Sequence, residues 1–199
     1  MKLVFATHNQ NKLNEIQALV PLHITIVSLK DIGCFEDIPE TAETLDGNAK
    51  LKADHVTKNY KLPCFADDTG LLVTALNGEP GVYSARYAGE ANDANANMNK
   101  LLNNLADHED RSAHFKTSIA LNINGETLFF EGTMQGDIAL EKKGEQGFGY
   151  DPIFKPKGYD ETFAELSLDI KNKISHRGKA FTKLIAYVTT NHIDIQKEY

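Results

Sequence analysis

Two adjacent carboxylates and a hydroxyl interrupt the apolar stretch "FADDTGLLV", residues 65–73. Neighbouring residues in a strand point to opposite faces, so only one of Asp67 and Asp68 can face a given cleft. One carboxylate could bind Mg²⁺, which usually takes one or two protein carboxylates together with substrate phosphates, while the other orients a ligand or a water. The alternative is a solvated turn that Asp67, Asp68 and Thr69 stabilise.

A second polar stretch, "THNQNK" at residues 7–12, follows an apolar run and leads into a predicted helix. The start of a helix offers unpaired N–H groups and the positive end of its dipole, and Lys12 adds a full charge. This pattern is typical of a phosphate-binding loop, although the glycines of a Walker loop are missing. The alternative is a polar turn in which Asn9 or Asn11 caps the helix.

Three charged residues between the two stretches are further candidates. Glu40, in "IPETAET", could be a second metal ligand, or an exposed acid, because Glu is seldom buried. Lys50 and Lys52 lie about 200° apart around a helix axis, so only one of them can face a site on the sheet. Surface solvation is the alternative for both lysines.

The motif "GFGYD", residues 147–151, places aromatic side chains between glycines. Glycines let the backbone approach a ligand closely, so Phe148 and Tyr150 could stack on a base beside Gly149. Asp151 could accept hydrogen bonds from N–H groups of the ring. The alternative is a tight loop whose aromatic residues belong to the core.

A basic segment, "KNKISHRGKA", supplies Lys171, His176 and Arg177 ahead of a predicted final helix, with Ser175 as a possible N-cap. Histidine and arginine can both donate to a keto oxygen. The alternative is a capped helix start with exposed charges.

The elements that must position these residues follow from the apolar pattern. The opening order of strand, loop, helix and strand indicates an α/β fold with helices packed on a sheet. The predicted strands are "KLVFA", "ITIVSL" and "CFADDTGLLV", followed by a hairpin with "NG" in its turn. The predicted helices run from near Asn11 to a stop at Pro21, from Thr44 to about Tyr60, from Asn95 to Ala106, and onward from about Ser175.

The composition narrows the class of protein. A chain of 199 residues fits one domain or two small lobes sharing a core. No apolar run approaches the roughly 20 residues that span a bilayer, and no signal peptide is apparent, so we expect a cytoplasmic protein with no membrane partner. The net charge of −7 disfavours nucleic-acid binding. We expect Cys34 and Cys64 to be free thiols.

Taken together and in order, these motifs resemble those of the inosine triphosphatase family. The resemblance runs across the whole chain, through "ATHNQNKLNEI", "DIPETAETLDGNAKLKA", "FADDTGLLVTALNGEPGVYSARYAG", "GFGYDPIF" and "ISHRGKA". It implies an α/β fold with an elongated mixed sheet flanked by helices, as a single domain of residues 1–199 with two lobes and the active cleft between them. It also implies a homodimer that uses Mg²⁺ to hydrolyse ITP, dITP and XTP to the monophosphate and pyrophosphate.

The resemblance also implies roles for individual residues. Asp68 would be the catalytic acid–base residue and a Mg²⁺ ligand, with Glu40 as a helper at the metal. Thr69 stands where the family often has serine and would keep the same contact, and Lys52 would contact phosphate. The phosphate loop would comprise Thr7, His8, Asn9, Gln10, Asn11 and Lys12, with no individual role for His8. The base pocket would comprise Phe148, Gly149, Tyr150, Asp151, Lys171, His176 and Arg177.

The resulting hypothesis is that Asp68 activates a water, directly or through Mg²⁺, for attack on the α-phosphorus. Lys12 and Lys52 would offset the charge of the triphosphate, and His176 or Arg177 would select a 6-keto purine. Such an enzyme would clear deaminated purines from the nucleotide pool. The alternatives are a nucleotide pyrophosphatase of broader specificity and a nucleotide sensor without turnover.

Overall fold

A computed structural model describes residues 2–89 and 91–191 of the protein. Within them lie seven strands: β1 Lys2–Phe5, β2 Thr25–Ser28, β3 Cys64–Val73, β4 Pro80–Gly81, β5 Ser112–Ile123, β6 Glu126–Ile138 and β7 Phe154–Pro156. The α-helices of the same residues are α1 Gln10–Gln17, α2 Leu45–Tyr60, α3 Ala94–Asn104, α4 Leu168–Ile174 and α5 His176–Thr190. No helix in this part of the chain is long and apolar enough to cross a membrane.

The strands form one mixed sheet in the order β2-β1-β3-β5-β6-β7, with β4 paired to β3. Strand β1 runs parallel to β2 and to β3, with Leu3 opposite Ile26 and Val4 opposite Cys64. Strand β4 is antiparallel to β3, and β7 is antiparallel to β6. The predicted α/β class with a mixed sheet flanked by helices is therefore confirmed.

The chain divides into two compact units, and the first comprises residues 2–68, 117–132 and 177–191 of the described chain. Its core contains the stacked rings of Phe5 and Phe65, with centroids 4.5 Å apart, and Phe181 of α5 packs beside them. Helix α2 buries its small apolar stripe, including Ala49 and Ala53, because these residues recur at helical spacing. This packing fixes the face of α2 that points toward β3.

The second unit comprises residues 69–89, 91–116 and 133–176. Its core is built on Phe115, Phe154 and Phe163, whose neighbouring ring centroids are 4.7–6.2 Å apart. Helix α3 contributes Leu101, which is fully buried. The aromatic core therefore supports the loop that carries "GFGYD" in this unit.

Several element predictions are confirmed. Strand β3 spans Cys64–Val73, as its apolar pattern indicates. The hairpin of β5 and β6 turns at Asn124 and Gly125, both with positive φ, as the "NG" signal requires. Cys34 and Cys64 are buried and neither is in a disulfide.

Other element predictions were wrong in detail. Helix α1 ends at Gln17, before Pro21 is reached. Helix α4 was not predicted, and Lys171 lies within it, whereas His176 and Arg177 begin α5 and do not precede it.

Candidate active site

Asp67 is a buried carboxylate in the first unit, paired with two cations. Lys12 of α1 donates from Nζ to Oδ1 at 3.0 Å, and Arg177 of α5 donates from Nε to Oδ2 at 3.0 Å. Arg177 also donates from Nη1 to Glu15 at 2.5 Å. Burial alone would raise the pKa of Asp67, but Lys12 and Arg177 outweigh it and hold that pKa well below its ordinary value. The solvated-turn interpretation of Asp67 was therefore wrong.

Asp68 occupies a different environment from that of its neighbour. Asn48 of α2, itself fully buried, donates from Nδ2 to Oδ2 of Asp68 at 3.0 Å. Burial raises the pKa of Asp68, and the nearby carboxylate of Glu40 adds to the rise, while Lys52 and Lys12 partly offset it. A carboxylate with a raised pKa is a better proton acceptor than an ordinary aspartate.

Lys52 is the helical lysine that faces β3. Its Nζ donates to the backbone carbonyl of Asp67 at 2.7 Å and forms a salt bridge with Glu40. Burial alone would lower the pKa of Lys52, but Asp68 and Glu40 raise it above its ordinary value, so the ammonium group stays charged. Lys50 points elsewhere and pairs with Asp54 at 2.6 Å, with about half of its side chain exposed. The expected division between the two lysines agrees with this geometry.

Glu40 and Asp68 are the residues that could hold a divalent cation in this cluster. Their mutual repulsion is visible in the upward effect of Glu40 on the pKa of Asp68. A cation between two carboxylates would relieve that repulsion, and Mg²⁺ needs only one or two protein carboxylates when phosphates supply further oxygens. The donor set therefore fits Mg²⁺.

The loop of residues 7–12 combines a helix cap with a cavity. The Oδ1 atom of Asn9 accepts from the backbone N–H groups of Asn11 and Lys12 at 2.9 and 3.2 Å, which is the capping interpretation of this loop. Thr7 Oγ1 accepts from the N–H of Asn9 at 3.1 Å. Residues 7–10 also line a cavity of about 240 Å³.

Two exposed residues of the same loop form hydrogen bonds with residues that do not line the cavity. His8 donates from Nε2 to the carbonyl of Glu36 at 3.0 Å, and Gln10 donates to Asn14 at 2.9 Å. A role for this loop in binding phosphate remains a prediction.

Glu15 and Asn48 were missed from sequence. Both are buried, and both contact a predicted site residue or its partner. The available signal was helical spacing: Glu15 lies one turn after Lys12 on α1, and Asn48 one turn before Lys52 on α2. Residues three or four apart share a helix face, so a polar partner was to be expected there.

The second unit holds another buried ion pair. Lys171 Nζ lies 2.6 Å from Oδ2 of Asp151, and the same oxygen accepts from the backbone N–H of Phe148 at 2.7 Å. Lys171 also stands 4.9 Å from the centre of the Phe148 ring, within range of a cation–π contact. A side chain at Gly147 would put its Cβ 2.1 Å from Asp151 Oδ2, so this position requires glycine.

Tyr150 and Asp151 have structural contacts that the sequence interpretation did not include. Tyr150 is buried in the core and donates its hydroxyl to the carbonyl of Ser84 at 2.8 Å, so its ring belongs to the core and the stacking assignment was wrong. Asp151 is buried and holds Lys171 and the backbone of Phe148. In the "GFGYD" segment, Phe148 is the half-buried aromatic residue.

His176 and Arg177 are neighbours in the chain but belong to different units. The His176 ring stacks on Phe115 with centroids 4.5 Å apart and an interplanar angle of 17°. The Arg177 guanidinium contacts Asp67 and Glu15 in the first unit, and its role in the base pocket remains a prediction. Thr69 lies half-buried in β3, at the start of the second unit.

The fold and the cluster around Asp67 and Asp68 define an α/β protein with a buried charged site suited to a phosphorylated ligand and a divalent cation. The chain belongs to the Ham1 family, whose model matches residues 3–187.

Relatives are similar over nearly the whole chain. A dITP/XTP pyrophosphatase of Flavobacterium johnsoniae is 62% identical over 189 residues, covering 95% of this chain and 98% of its own. A dITP/XTP pyrophosphatase of Bacillus subtilis is 48% identical, covering 91% of this chain and 93% of its own. The solved structure of the Staphylococcus aureus Ham1 protein superposes with a TM-score of 0.87 at 42% identity, covering 96% of this chain and 100% of its own.

Proposed function

We propose that the protein is a Mg²⁺-dependent nucleoside triphosphate pyrophosphatase that hydrolyses dITP, ITP and XTP to the monophosphate and pyrophosphate. The observation that carries this proposal is the buried cluster on β3, where Lys12 and Arg177 pair with Asp67. Asn48 bonds to Asp68 beside it, and Lys52 pairs with Glu40. Relatives that are 48–62% identical and named dITP/XTP pyrophosphatase support the choice of substrate.

Glu40 and Asp68 would hold Mg²⁺ through their carboxylate oxygens. The bound cation supplies charge neutralisation for the triphosphate and a Lewis acid at the phosphoryl oxygens. Lys52 donates to the Glu40 carboxylate and to the backbone carbonyl of Asp67, and so would hold the Glu40 carboxylate in place while the ligand binds.

Asp68 accepts a proton from the attacking water. Water oxygen forms a bond to the α-phosphorus, the bond from that phosphorus to the bridging oxygen breaks, and pyrophosphate leaves with the bonding electrons. The hydrogen bond from Asn48 to Oδ2 fixes the orientation of the Asp68 carboxylate for accepting this proton. Lys12 and Lys52 offset negative charge on the triphosphate and on the leaving pyrophosphate.

The loop of residues 7–12 contributes to phosphate binding together with Lys12. Burial lowers the pKa of Lys12, and the neighbouring cations Lys52 and Arg177 lower it further, while Asp67 opposes them. A triphosphate would add negative charge beside this ammonium group and stabilise its protonated form. The cavity that residues 7–10 line offers space for part of such a ligand.

The second unit recognises the base. Phe148 supplies a half-buried ring for stacking, and Lys171 and Asp151 hold the loop that presents it. His176 donates to the 6-keto oxygen of hypoxanthine or xanthine. The 6-amino group of adenine is itself a donor, so it could not form this hydrogen bond with His176. A site built on such buried hydrogen bonds can discriminate by about 10⁴-fold.

A panel of nucleotides tests the proposal. Purified protein with Mg²⁺ would be given dITP, ITP, XTP, GTP and ATP, and the phosphorus products identified by ³¹P NMR. We expect pyrophosphate and the monophosphate from dITP, ITP and XTP, with little product from GTP and ATP, and loss of turnover when Mg²⁺ is removed. Release of inorganic phosphate with a diphosphate, or binding without turnover, would contradict the proposal.

The same proposal includes a cytoplasmic homodimer that clears deaminated purine nucleotides before polymerases incorporate them. Sedimentation velocity across a range of concentrations tests the dimer. A mass of two chains is expected, and a monomer mass at every concentration would reject it.

A further inference from the structure

Three side chains with metal-ligating atoms converge in the first unit, apart from the residues of the proposed active site. Cys34 follows the short turn Lys30–Ile32, Glu36 lies two residues later, and His55 projects from α2. One ligand atom from each lies within 4.8 Å of the other two. Among the residues that the structure describes, this is the one such grouping of three His, Cys, Asp or Glu side chains.

Hydrogen bonds already orient the two outer members of this cluster. His55 Nε2 lies 3.0 Å from Oε1 of Glu36, and the Tyr60 hydroxyl donates to the same oxygen at 3.2 Å. The other ring nitrogen, His55 Nδ1, lies 3.3 Å from the side-chain amide of Asn59. The Asn59 amide nitrogen also lies 3.4 Å from His55 Nε2. With that amide turned so that its oxygen faces Nδ1, Asn59 would accept from Nδ1–H and support the tautomer that ligation through Nε2 requires.

The donor set favours a particular class of cation. A cysteine sulfur and an imidazole nitrogen suit Zn²⁺, whereas Mg²⁺ prefers oxygen ligands. Zn²⁺ with bond lengths of about 2.0–2.3 Å places its ligand atoms roughly 3.5 Å apart in a tetrahedron. The ligand atoms already lie within 4.8 Å of one another. Binding therefore requires any pair to close by at most about 1.3 Å, and the partly exposed His55 and Glu36 side chains can move toward the sulfur.

Burial of the three residues leaves a route for the ion. Cys34 is fully buried, but the side chains of His55 and Glu36 are 24% and 50% exposed. The sulfur therefore forms the inner wall of the cluster and the carboxylate its outer edge. A water on that outer side would complete four-coordination.

We propose that Cys34 Sγ, a Glu36 carboxylate oxygen and His55 Nε2 form a binding site for Zn²⁺, distinct from the Mg²⁺ position at Glu40 and Asp68. The proposal does not depend on the nucleotide chemistry of the protein.

Zinc titration by calorimetry tests this site in chelator-treated full-length protein with excess Mg²⁺ present. One Zn²⁺ per chain is expected. The variants Cys34→Ser and His55→Gln are each expected to weaken Zn²⁺ binding by about 100-fold or more, since even partners outside the ligand set commonly cost 10–100-fold. Matched controls are Cys64→Ser, a second buried thiol, and His108→Gln, an exposed histidine; both should leave zinc affinity unchanged.

Cobalt substitution gives a spectroscopic signal that depends on direct ligation of the metal by Cys34. Co²⁺ in the wild-type site should give a sulfur-to-metal charge-transfer band, which Cys34→Ser removes and Cys64→Ser retains. Zn²⁺ should also raise the thermal unfolding midpoint of wild type but not of His55→Gln, because a ligand stabilises only the state that binds it. Should Cys34→Ser fail to fold, His55→Gln carries the test, since His55 is partly exposed. Absence of stoichiometric binding, or equal binding by His55→Gln and wild type, would overturn the proposal.

Discussion

Asp67 and Asp68 are neighbours in β3, and their surroundings move their pKa values in opposite directions. Asp67 lies between Lys12 and Arg177, which keep it ionised despite burial. Burial raises the pKa of Asp68 and the nearby Glu40 carboxylate adds to the rise, which the hydrogen bond from Asn48 and the nearby lysines only partly offset. One carboxylate therefore organises cations, and the other is suited to accept a proton.

The first prediction concerns the stability that Asp67 provides. Asp67→Asn removes the shared counter-charge of Arg177, which is buried, and of Lys12, which is partly buried. We expect a loss of about 3–5 kcal/mol in the free energy of unfolding. Urea denaturation measures this loss. The control is Asp54→Asn, which breaks a partly exposed pair with Lys50 and should cost only about 1 kcal/mol or less.

The stabilisation that Asp67 provides should also depend on pH. The folded-state pKa of Asp67 is depressed, so its stabilisation is present above the unfolded pKa of about 3.9 and is lost as pH falls toward the folded value. The stability gap between wild type and Asp67→Asn should therefore be constant near neutral pH and shrink in acid. A gap that widens in acid would contradict the assigned ion pairs.

The second prediction compares two lysines of α2. Lys52→Met removes a buried ammonium group beside Glu40 and Asp68, and kcat/KM should fall by about 100-fold or more. Lys50→Met removes a lysine that pairs with Asp54 on the exposed side, and kcat/KM should stay within about twofold, since such surface pairs contribute little. Steady-state pyrophosphate release measures both, and equal losses would contradict the orientation assigned to α2.

At the scale of elements, sequence patterns predicted β3, α2 and the β5–β6 hairpin because each has a strong local signal. Helix α4 has a capping residue in Ser167 but no apolar pattern to mark it. Leu168 and Ile170 are 44% and 40% exposed, whereas Lys171 and Asn172 are buried. Its apolar residues therefore do not mark its buried face.

Part of the candidate site was equally hidden from sequence. The contact of Arg177 with Asp67 joins residues 110 positions apart, and only the packed fold reveals it. The types of charged residues and their order along the chain suggested which residues form the site. The ion-pair partner of each charged residue depends on tertiary structure and could not be predicted.

The third prediction concerns the loop that carries Phe148. Gly149→Ala has open space for a Cβ but a φ of +63°, so it should cost about 1 kcal/mol of stability. Gly147→Ala also drives a Cβ into the Asp151 carboxylate and should cost at least about 1 kcal/mol more. Chemical denaturation of the two variants measures the difference, and equal costs would argue against the role of Asp151 as the anchor of this loop.

At the scale of the whole molecule, the proposed roles divide between the two units. The first unit carries the acids and cations proposed for phosphate chemistry, and the second carries Phe148, Lys171 and His176, proposed for the base. A substitution in the first unit should therefore change rates for every nucleotide, and one in the second should change the preference among bases.

The fourth prediction tests this division with His176→Phe. Phenylalanine keeps an aromatic ring beside Phe115 but removes the donor, so the ratio of kcat/KM for XTP over ATP should fall by about tenfold or more. Lys52→Met should leave that ratio within about threefold, since a phosphate contact is common to both nucleotides. A large change of the ratio in Lys52→Met alone would contradict the division.

The most direct test of the central claim is the single-turnover rate of pyrophosphate release from XTP by wild type, Asp68→Asn and the control Asp54→Asn, with folding checked by circular dichroism. We predict that Asp68→Asn slows release by about 100-fold or more, because the amide cannot accept the proton of the attacking water, while Asp54→Asn keeps the wild-type rate. A folded Asp68→Asn variant that releases pyrophosphate at the wild-type rate would contradict the catalytic assignment of Asp68.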